Sequence, residues 1–329
     1  MKEVWVFIEQ EELKIHPVSF ELLGIAQKLA KDLSGKVSAV LVGHNVKPLV
    51  EEIFAYGAEK IYVVDHKVLS YYRHIPYVYA LTYLAKKYKP EIFLIGATTL
   101  GRDLAGGVAT LLETGLTADV TELSIDPETK NLLMTRPAYG GNIMATIVCP
   151  NHRPQMATVR PRVFPIPERE EGKIGEVIEE KMELTEEMAG VERIGFLPKE
   201  KTVNLEYADI IVAGGKGIGG KEGFEILKEL AHLLNGEVGA SRFAVESGWI
   251  SYEHQVGQTG KTVRPKVYFA FGISGAIQHR AGMQNSDFII AVNIDPEAPI
   301  FKIADLGIIG DWKEVATALI RALKNRRGS

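Results

Sequence analysis

The sequence predicts an α/β protein of two domains, and three observations support this. The 329 residues are more than one ordinary α/β domain needs and enough for two that each bury a core. Short apolar runs alternate with stretches of helical periodicity in both halves, which is typical of parallel strands connected by helices. An acidic stretch at 166–190, with few large apolar residues, reads as a solvated connection. We expect domains at 1–203 and 204–329.

The first domain is expected to contain a nucleotide-binding-like parallel sheet. Apolar runs at 4–8, 37–42, 60–64 and 92–95 predict buried strands, and helical periodicity predicts helices at 22–33, 46–56, 75–88 and 101–113. Between 116 and 164 the pattern changes to short β-rich pieces separated by turn residues. These pieces predict antiparallel strands added to the sheet edge, and residues 191–196 could complete the sheet.

Two places in the first domain leave alternatives open. Thr98 to Asp103 spans a strand-to-helix junction that could bind an anion, or Thr98 could simply cap the helix beside a surface ion pair. A polar set in the β-rich part could form a ligand site, or it could connect hairpins and a subunit interface. That set comprises Arg136, Tyr139, Asn142, Arg153 and Arg160. The second interpretation is favoured in both places.

Composition narrows the function classes. A net charge of −4 with 24% charged residues implies neither a nucleic-acid surface nor an anionic membrane surface. Cys149 is the only cysteine, so the chain cannot hold an iron–sulfur cluster with its own thiolates, and redox chemistry would need an organic cofactor. We predict no metal site. Because residues 1–8 enter a strand without a leader pattern, and no apolar run reaches about 18 residues, we expect a cytoplasmic protein without direct membrane insertion.

The second domain is expected to begin with a strand at 209–213, followed by a glycine-rich loop. Gly215, Gly217 and Gly220 fit the pattern G-x-G-x-x-G between a strand and an amphipathic helix, which is the context of a dinucleotide site. The nearest acidic residue that could bind a ribose is Glu237, and no strand clearly ends on it. A nicotinamide-dependent dehydrogenase using the 215–220 loop is therefore an alternative with little support.

A second pair of glycine-rich turns flanks the apolar run 267–272. Their position places free backbone N–H groups at the carboxyl end of a buried strand, where a phosphate can be held without a cation. Polar residues are interleaved with the glycines, which a plain turn does not require. They are Gln258, Thr259, Ser274, Gln278 and His279. This stretch predicts a cofactor-binding site.

Four motifs in the second domain carry a resemblance to a known family. They are Val238-Gly-Ala-Ser-Arg242, Gln255-Val-Gly-Gln-Thr-Gly-Lys261, Gly272-Ile-Ser-Gly-Ala-Ile-Gln-His279-x-Ala-Gly-Met283 and Ala291-Val-Asn-x-Asp-Pro-Glu-Ala-Pro-Ile-Phe301. Weaker matches occur at 136–142 and 153–160. In these motifs the chain resembles the alpha subunit of the electron-transfer flavoproteins over nearly its whole length.

The resemblance implies a C-terminal Rossmann-like domain that binds FAD non-covalently. It assigns three residues to the isoalloxazine ring: Arg242 lies against the ring, Thr259 donates to N5, and His279 approaches O2. Ser241 and residues 256–258 are assigned to the ribitol and phosphate, 274–278 to the pyrophosphate, and Asn293 and Asp311 to the adenosine end. Besides the three ring residues, the cofactor-binding set is Lys216, Ser241, Val256, Gly257, Gln258, Ser274, Gly275, Ala276, Ile277, Gln278, Asn293, Asp311 and Trp312.

The function implied is that of an electron carrier rather than a stand-alone enzyme. In the resembling family the chain pairs with a beta subunit, and the first domain carries no cofactor and frames that partner. Electrons come from a flavin dehydrogenase, such as an acyl-CoA dehydrogenase of fatty-acid oxidation, or from NADH. They pass to a membrane quinone oxidoreductase, a ferredoxin or another acceptor, and ordinary, nitrogen-fixation-type and bifurcating complexes all remain possible. The alternatives are the nicotinamide-dependent dehydrogenase and a non-redox nucleotide-binding structural subunit.

Overall fold

The computed structural model describes residues 2–138, 143–195 and 203–327. The chain forms two compact units, Met1–Phe196 and Leu197–Ser329. Each unit has its own main sheet and its own apolar cores. The domain boundary expected near 203 stays a prediction, because the adjoining residues 196–202 lie outside the described part of the chain.

The first unit contains twelve strands and four α-helices within its described residues. In chain order they are β1 (Glu3–Ile8), β2 (Gln10–Glu11), β3 (Lys14–Ile15), α1 (Pro17–Leu33), β4 (Lys36–Gly43), α2 (Val50–Ala55), β5 (Lys60–Asp65), α3 (His74–Tyr88), β6 (Ile92–Gly96), α4 (Thr99–Leu111), β7 (Leu116–Val120), β8 (Glu122–Ile125), β9 (Leu132–Ala138), β10 (Ile143–Ile147), β11 (Gln155–Val159) and β12 (Glu176–Glu179). Short 3-10 helices occur at Lys47–Leu49, Lys67–Leu69 and Glu186–Ala189.

Seven of these strands form one parallel sheet in the order β12-β5-β4-β1-β6-β11-β7. In β1, Val4, Val6 and Ile8 point into a core with α1, whereas Trp5 and Phe7 point into the opposite core with α3 and α4. A sheet buried on both faces needs nearly continuous apolar strands. This explains why the four strands predicted at 4–8, 37–42, 60–64 and 92–95 are confirmed.

The antiparallel strands are present, but their arrangement differs from the prediction. β8, β9 and β10 form a separate three-stranded antiparallel sheet in the order β10-β9-β8. The flanking strands β7 and β11 instead join the main sheet in parallel, with β11 between β6 and β7. The short pieces have similar local patterns, so only long-range pairing decides which of them joins which sheet.

The interpretation of 166–190 as a solvated connection is wrong for its second half in one respect: most residues there are exposed as expected, but the segment is part of the first unit and not a connection. Residues 176–179 form β12, which pairs in parallel with β5 at the edge of the main sheet. Leu184 and Ala189 are buried in the first unit, and Arg73 of that unit contacts Glu186 at 2.6 Å. The described residues of the 191–196 segment, 191–195, form no strand, and the edge of the sheet beside β5 is occupied by β12.

The junction at the start of α4 is a helix cap. The Thr98 hydroxyl accepts a hydrogen bond from the Gly101 N–H at 2.9 Å and donates to the Glu9 carboxylate at 2.7 Å. Glu9 follows β1 and is 9% exposed. Because the Thr98 side chain itself satisfies an N–H of the first helical turn, the capping interpretation is favoured. The expected surface ion pair is also present, between Arg102 and an aspartate of β7.

The polar set in the β-rich part connects elements of the first unit. Arg153 contacts Glu91 at 2.5 Å and Asn131 at 2.9 Å, and Arg160 lies 3.8 Å from Asp119. These contacts are consistent with a structural role. Tyr139 and Asn142 of the same set lie outside the described residues.

The second unit contains five strands and four α-helices within its described residues. They are β13 (Ile210–Gly214), α5 (Lys221–Leu233), β14 (Glu237–Ala240), α6 (Arg242–Glu246), β15 (Val267–Phe271), α7 (Ile277–Arg280), β16 (Ile289–Asn293), β17 (Leu306–Ile309) and α8 (Trp312–Arg327). Short 3-10 helices occur at Leu205–Tyr207, Lys216–Ile218, Tyr252–His254 and Pro299–Lys302.

The second sheet is parallel, with the strand order β14-β13-β15-β16-β17. Helices α5 and α8 cover one face, and the connecting segments around 256–263, 273–283 and 298–304 cover the other. The chain moves from β13 outward to β14 and then crosses back to β15 on the other side. The carboxyl ends of β13 and β15 therefore form the switch point at which doubly wound sheets bind ligands.

Among the helices of residues 2–138, 143–195 and 203–327, none combines the length and the apolar character that crossing a bilayer requires.

Candidate functional site at the carboxyl edge of the second sheet

Two glycine-containing turns meet where β13 and β15 end. Gly217 donates its N–H to the Gly272 carbonyl at 2.9 Å. A Cβ on Gly215 would lie 2.3 Å from the Gly272 carbonyl oxygen, and a Cβ on Gly217 would lie 2.8 Å from the Gly272 Cα. Gly272 itself has a φ of +57°. Backbone packed on backbone excludes side chains, so the contact between the turns accounts for Gly215 and Gly217.

The segment 255–261, here called the threonine turn, lies beside these two turns. Val256 is buried and donates its N–H to the carbonyl of Ala240, at the end of β14, at 2.9 Å. Gln258 donates its N–H to the carbonyl of Gln278 in α7 at 2.8 Å. These bonds join the threonine turn to both β14 and α7, so two of the sequence motifs lie side by side.

Thr259 has an exposed side chain, and its position is fixed by two contacts. Its carbonyl accepts a hydrogen bond from the Tyr252 hydroxyl at 2.8 Å, and its Oγ1 accepts one from Gln255 Nε2 at 3.1 Å. Gln255 is 4% exposed. An amide N–H can only donate, so the Thr259 hydroxyl is the acceptor in this pair, and its own proton remains available to another acceptor. Gly257 allows the fold of the turn, since its φ is +144°.

Ser241 and Arg242 follow β14. Ser241 is the N-cap of α6 but does not cap it with its side chain, and its buried Oγ has no hydrogen-bond partner in the described residues. Such an atom is satisfied by a ligand or by water. The Arg242 guanidinium contacts Glu246 at 2.7 Å, and both side chains are mostly exposed. An exposed pair of this kind contributes little free energy, so the guanidinium can turn towards an anionic group.

His279 in α7 brings a buried titratable ring to the site. It is 7% exposed, and its Nε2 lies 3.0 Å from the hydroxyl of Tyr268 in β15. Burial disfavours the imidazolium and lowers the pKa of His279 to about 4, against the opposing effect of the Val256 carbonyl. His279 Nδ1 is buried and makes no hydrogen bond with the described part of the chain. Because its pKa is lowered by burial, the ring is neutral at physiological pH.

The segment between β15 and α7 presents backbone and polar groups at the surface. Its exposed members are Ser274, Ala276, Ile277 and Gln278. Gly275 has a φ of +86°, and a Cβ there would lie 2.3 Å from the Ile300 nitrogen. The N-cap of α7 makes no side-chain capping bond. Because the first N–H groups of a helix have no acceptor within the helix, this end of α7 can donate to a ligand.

Asn293 and Asp311 have structural contacts of their own. Asn293 Nδ2 donates to the Ile273 carbonyl at 3.0 Å, which ties the end of β16 to the segment after β15. The Asp311 carboxylate accepts from the Lys313 N–H at 2.7 Å at the start of α8. Both side chains lie at the carboxyl edge of the sheet, where the resemblance expects the adenosine end.

Lys216 and Trp312 occupy different environments. Lys216 is exposed in the turn after β13, and its Nζ lies 5.1 Å from the centroid of the Phe243 ring. Trp312 is half-buried and packs with α5, where a Cβ on Gly223 would come within 3.1 Å of its ring. Lys216 can therefore reach a ligand, whereas Trp312 contributes packing at the base of α8.

Two residues of this site were not among the sequence predictions. Gln255 holds the hydroxyl of Thr259, and Tyr268 holds the ring of His279. A weak signal exists for each of them in the sequence. Gln255 opens the 255–261 motif four residues before the threonine, and Tyr268 is the only polar residue in the strand 267–271.

The nicotinamide alternative finds little support in this geometry. In a dinucleotide site the acid that binds the ribose stands at the carboxyl end of the second strand. Glu237 is instead the first residue of β14, at the opposite end, and the carboxyl end is followed by Ser241 and Arg242.

Two protein-family models match the chain. The model described as Electron transfer flavoprotein domain matches residues 4–184, and the model described as Electron transfer flavoprotein FAD-binding domain matches residues 204–284. The second match includes the threonine turn and the whole segment from β15 to α7.

Similar proteins align over nearly the entire chain. An electron transfer flavoprotein subunit alpha of Thermoanaerobacterium thermosaccharolyticum is 53% identical over 98% of this chain and 98% of its own length. A subunit alpha of Megasphaera elsdenii is 50% identical over 99% of this chain and 98% of its own length. Protein FixB of Azorhizobium caulinodans is 49% identical over 99% of this chain and 89% of its own length. The chain described here therefore belongs to the electron transfer flavoprotein alpha-subunit family.

Proposed function

We propose that the chain binds FAD non-covalently in its second unit and acts as the alpha subunit of a heterodimeric electron carrier. The observation that carries this proposal is the arrangement of donors at the switch point of the second sheet. There the Thr259 hydroxyl keeps its proton free, and the buried Ser241 Oγ and His279 Nδ1 have no partner within the described residues. Bound FAD supplies reversible uptake and release of electrons.

The threonine turn places one hydrogen-bond donor. Because Gln255 donates to Thr259 Oγ1 at 3.1 Å, the Thr259 proton points to a different acceptor, for which we propose the flavin N5. Tyr252 and Gln255 hold both the carbonyl and the hydroxyl of Thr259, so the donor needs little reorganisation when the ring binds.

Arg242 supplies a positive charge at the end of β14. Its contact with Glu246 is exposed and costs little to break, so the guanidinium is free to turn towards the ring. A cation close to the ring in a partly dehydrated site stabilises negative charge that accumulates on reduction. Because His279 is neutral, we propose that it contributes a hydrogen bond near O2 and no charge.

The remaining residues suit the anionic part of the cofactor. The uncapped start of α7 offers backbone N–H groups to a pyrophosphate, as helix N-termini commonly do. Ser241 is suited to the ribitol and phosphate side, because its buried Oγ lacks any other partner in the described chain. Asn293 and Asp311 are proposed for the adenosine end, and Lys216 for a phosphate.

The partners are part of this proposal. We infer a beta subunit that pairs with the chain, a flavin dehydrogenase or NADH as the source of electrons, and a membrane quinone oxidoreductase or a ferredoxin as the acceptor. Membership of the family supports the heterodimer. Relatives named FixB and relatives named electron transfer flavoprotein subunit alpha are about equally similar to this chain, so they do not select one pathway. A cytoplasmic location also stays a prediction.

Coexpression with an electron transfer flavoprotein beta subunit tests the function. We expect a stable yellow heterodimer from which mild denaturation releases FAD, identified by chromatography against FMN. Ser241→Asp should remove FAD from this chain, since a carboxylate would face the ribitol and phosphate. Ser247→Asp, at an exposed position just beyond α6, is the matched control and should retain it. A colourless complex that binds nicotinamide dinucleotides would support the dehydrogenase alternative. A complex that binds neither FAD nor nicotinamide dinucleotides would support the structural subunit.

A further inference from the structure

Tyr268 and His279 form a buried pair beneath the proposed flavin site. Tyr268 is fully buried in β15, the middle strand of the second sheet, and its hydroxyl lies 3.0 Å from His279 Nε2. The other ring nitrogen, Nδ1, has no hydrogen-bond partner among the described residues. The pair therefore has two possible proton arrangements, which differ in the number of polar atoms left unsatisfied.

In the first arrangement the Tyr268 hydroxyl donates to Nε2, and the histidine carries its proton on Nδ1. Only the Nδ1–H then lacks a partner. In the second arrangement Nε2–H donates to the phenol oxygen, and the phenol proton is left buried among apolar side chains without an acceptor. A buried donor without a partner is costly, so the first arrangement is favoured.

The surroundings of the pair keep both rings neutral. Burial of both side chains disfavours the charged forms of either one. The choice is therefore between the two neutral arrangements, and the number of unsatisfied polar atoms favours the proton on Nδ1.

We propose that Tyr268 is a positioning residue that fixes the Nδ1–H tautomer of His279, so that the ring presents a neutral N–H donor to a carbonyl oxygen of the cofactor. The hydroxyl holds the ring by its Nε2 edge from the central strand, and this leaves Nδ1 as the donor edge. This inference rests on the proposed function only for the identity of the acceptor. The tautomer itself is a property of the chain.

The test is nitrogen NMR of the heterodimer labelled with 15N-histidine. The His279 signals are assigned by their loss in His279→Asn. Nε2 is recognised because it couples to both carbon-bound ring protons, and it should resonate as an unprotonated nitrogen, whereas Nδ1 should resonate as a protonated one. Tyr268→Phe should shift the ring towards a mixture of tautomers. It should also weaken FAD binding by up to about tenfold, through loss of one oriented hydrogen bond.

Tyr77→Phe is the matched control. Tyr77 is also buried, and its hydroxyl donates a hydrogen bond to the Leu69 carbonyl at 3.0 Å in the first unit. This variant should change neither the His279 signals nor FAD binding. A protonated Nε2 in the unaltered protein would overturn the proposal, and so would an unchanged tautomer in a folded Tyr268→Phe variant. If Tyr268→Phe does not fold, the spectrum of the unaltered protein still decides. A complex without flavin would instead contradict the proposed function.

Discussion

Replacing Glu9 by glutamine should remove a pH-dependent loss of stability from the first unit. Glu9 is buried at the carboxyl end of β1, where its carboxylate accepts from the Thr98 hydroxyl at 2.7 Å. Burial raises the pKa of Glu9 from its ordinary value of 4.5 to about 7, although the bond from Thr98 acts in the opposite direction. Glutamine has nearly the same shape and still offers an oxygen to Thr98, but it carries no charge.

The sign and size of the effect follow from this shift. Between pH 4.5 and about 7 the folded protein binds more protons at Glu9 than the unfolded chain does, so the free energy of unfolding falls as the pH rises. Below pH 4.5 the stability contributed by protonated Glu9 is fully present, and above about pH 7 it is completely lost. A rise of this size corresponds to about 3 kcal/mol. Glu9→Gln should therefore match the unaltered protein near pH 4 and exceed its stability by up to about 3 kcal/mol near pH 8.

Trp5 allows the measurement to report on the first unit. It is fully buried there, whereas Trp249 and Trp312 lie in the second unit. Urea unfolding followed by fluorescence of the full chain carrying Trp249→Phe and Trp312→Phe then reports the unfolding of the first unit. Glu122→Gln, at an exposed position of β8, is the control for loss of one charge. Its free energy of unfolding should differ from that of the unaltered protein by a nearly constant amount at every pH. If the advantage of Glu9→Gln did not grow with pH, the reasoning about burial would be refuted.

Three further predictions concern the second unit. Thr259→Val should lower the reduction potential of the bound flavin by removing a hydrogen-bond donor worth about 1 kcal/mol, whereas Thr259→Ser should retain the original potential. Equal potentials for Thr259→Val and the unaltered protein in a spectroelectrochemical titration would contradict this. Gly275→Ala should destabilise the unit by more than about 1 kcal/mol in denaturant unfolding, because φ is +86° and a Cβ would lie 2.3 Å from the Ile300 nitrogen; an unchanged midpoint would show that the turn relaxes. Arg242→Ala should lower the one-electron potential more than Arg242→Lys does, and an unaltered reductive titration would exclude a charge effect on the ring.

The buried strands of both sheets could be predicted because each one carries its own signal. A strand covered on both faces must be apolar along its whole length, as 4–8 and 92–95 are. The edge strand β12 lacked this signal, since Val177 is partly exposed and both ends are glutamates. Its pairing depends in part on Lys60, which lies 3.3 Å from Glu176 but more than a hundred residues away in the chain. No local pattern contains such a contact.

The candidate site, like the sheets, was only partly predictable from the sequence. The glycines and polar residues of the threonine turn are adjacent in sequence, so their motif indicated a ligand site. The supporting side chains could not be identified in the same way. The role of Gln255 depends on how the turn folds back on itself, and that of Tyr268 depends on how α7 packs over β15. The packing of Gly215 and Gly217 on Gly272 also changes the interpretation of the G-x-G-x-x-G pattern, since it explains these two glycines without a dinucleotide.

The central position of β15 has a consequence for how the site opens. Its backbone is hydrogen-bonded to β13 on one side and to β16 on the other, so its amides should be among the slowest of the second unit to exchange with deuterated solvent. The tip of the threonine turn is held by the side chains of Tyr252 and Gln255, and it should exchange at a lower opening free energy. A cofactor entering or leaving would then displace Thr259 while the Tyr268–His279 pair stays in place. The Tyr268–His279 pair would then keep its arrangement while one cofactor molecule leaves and another binds.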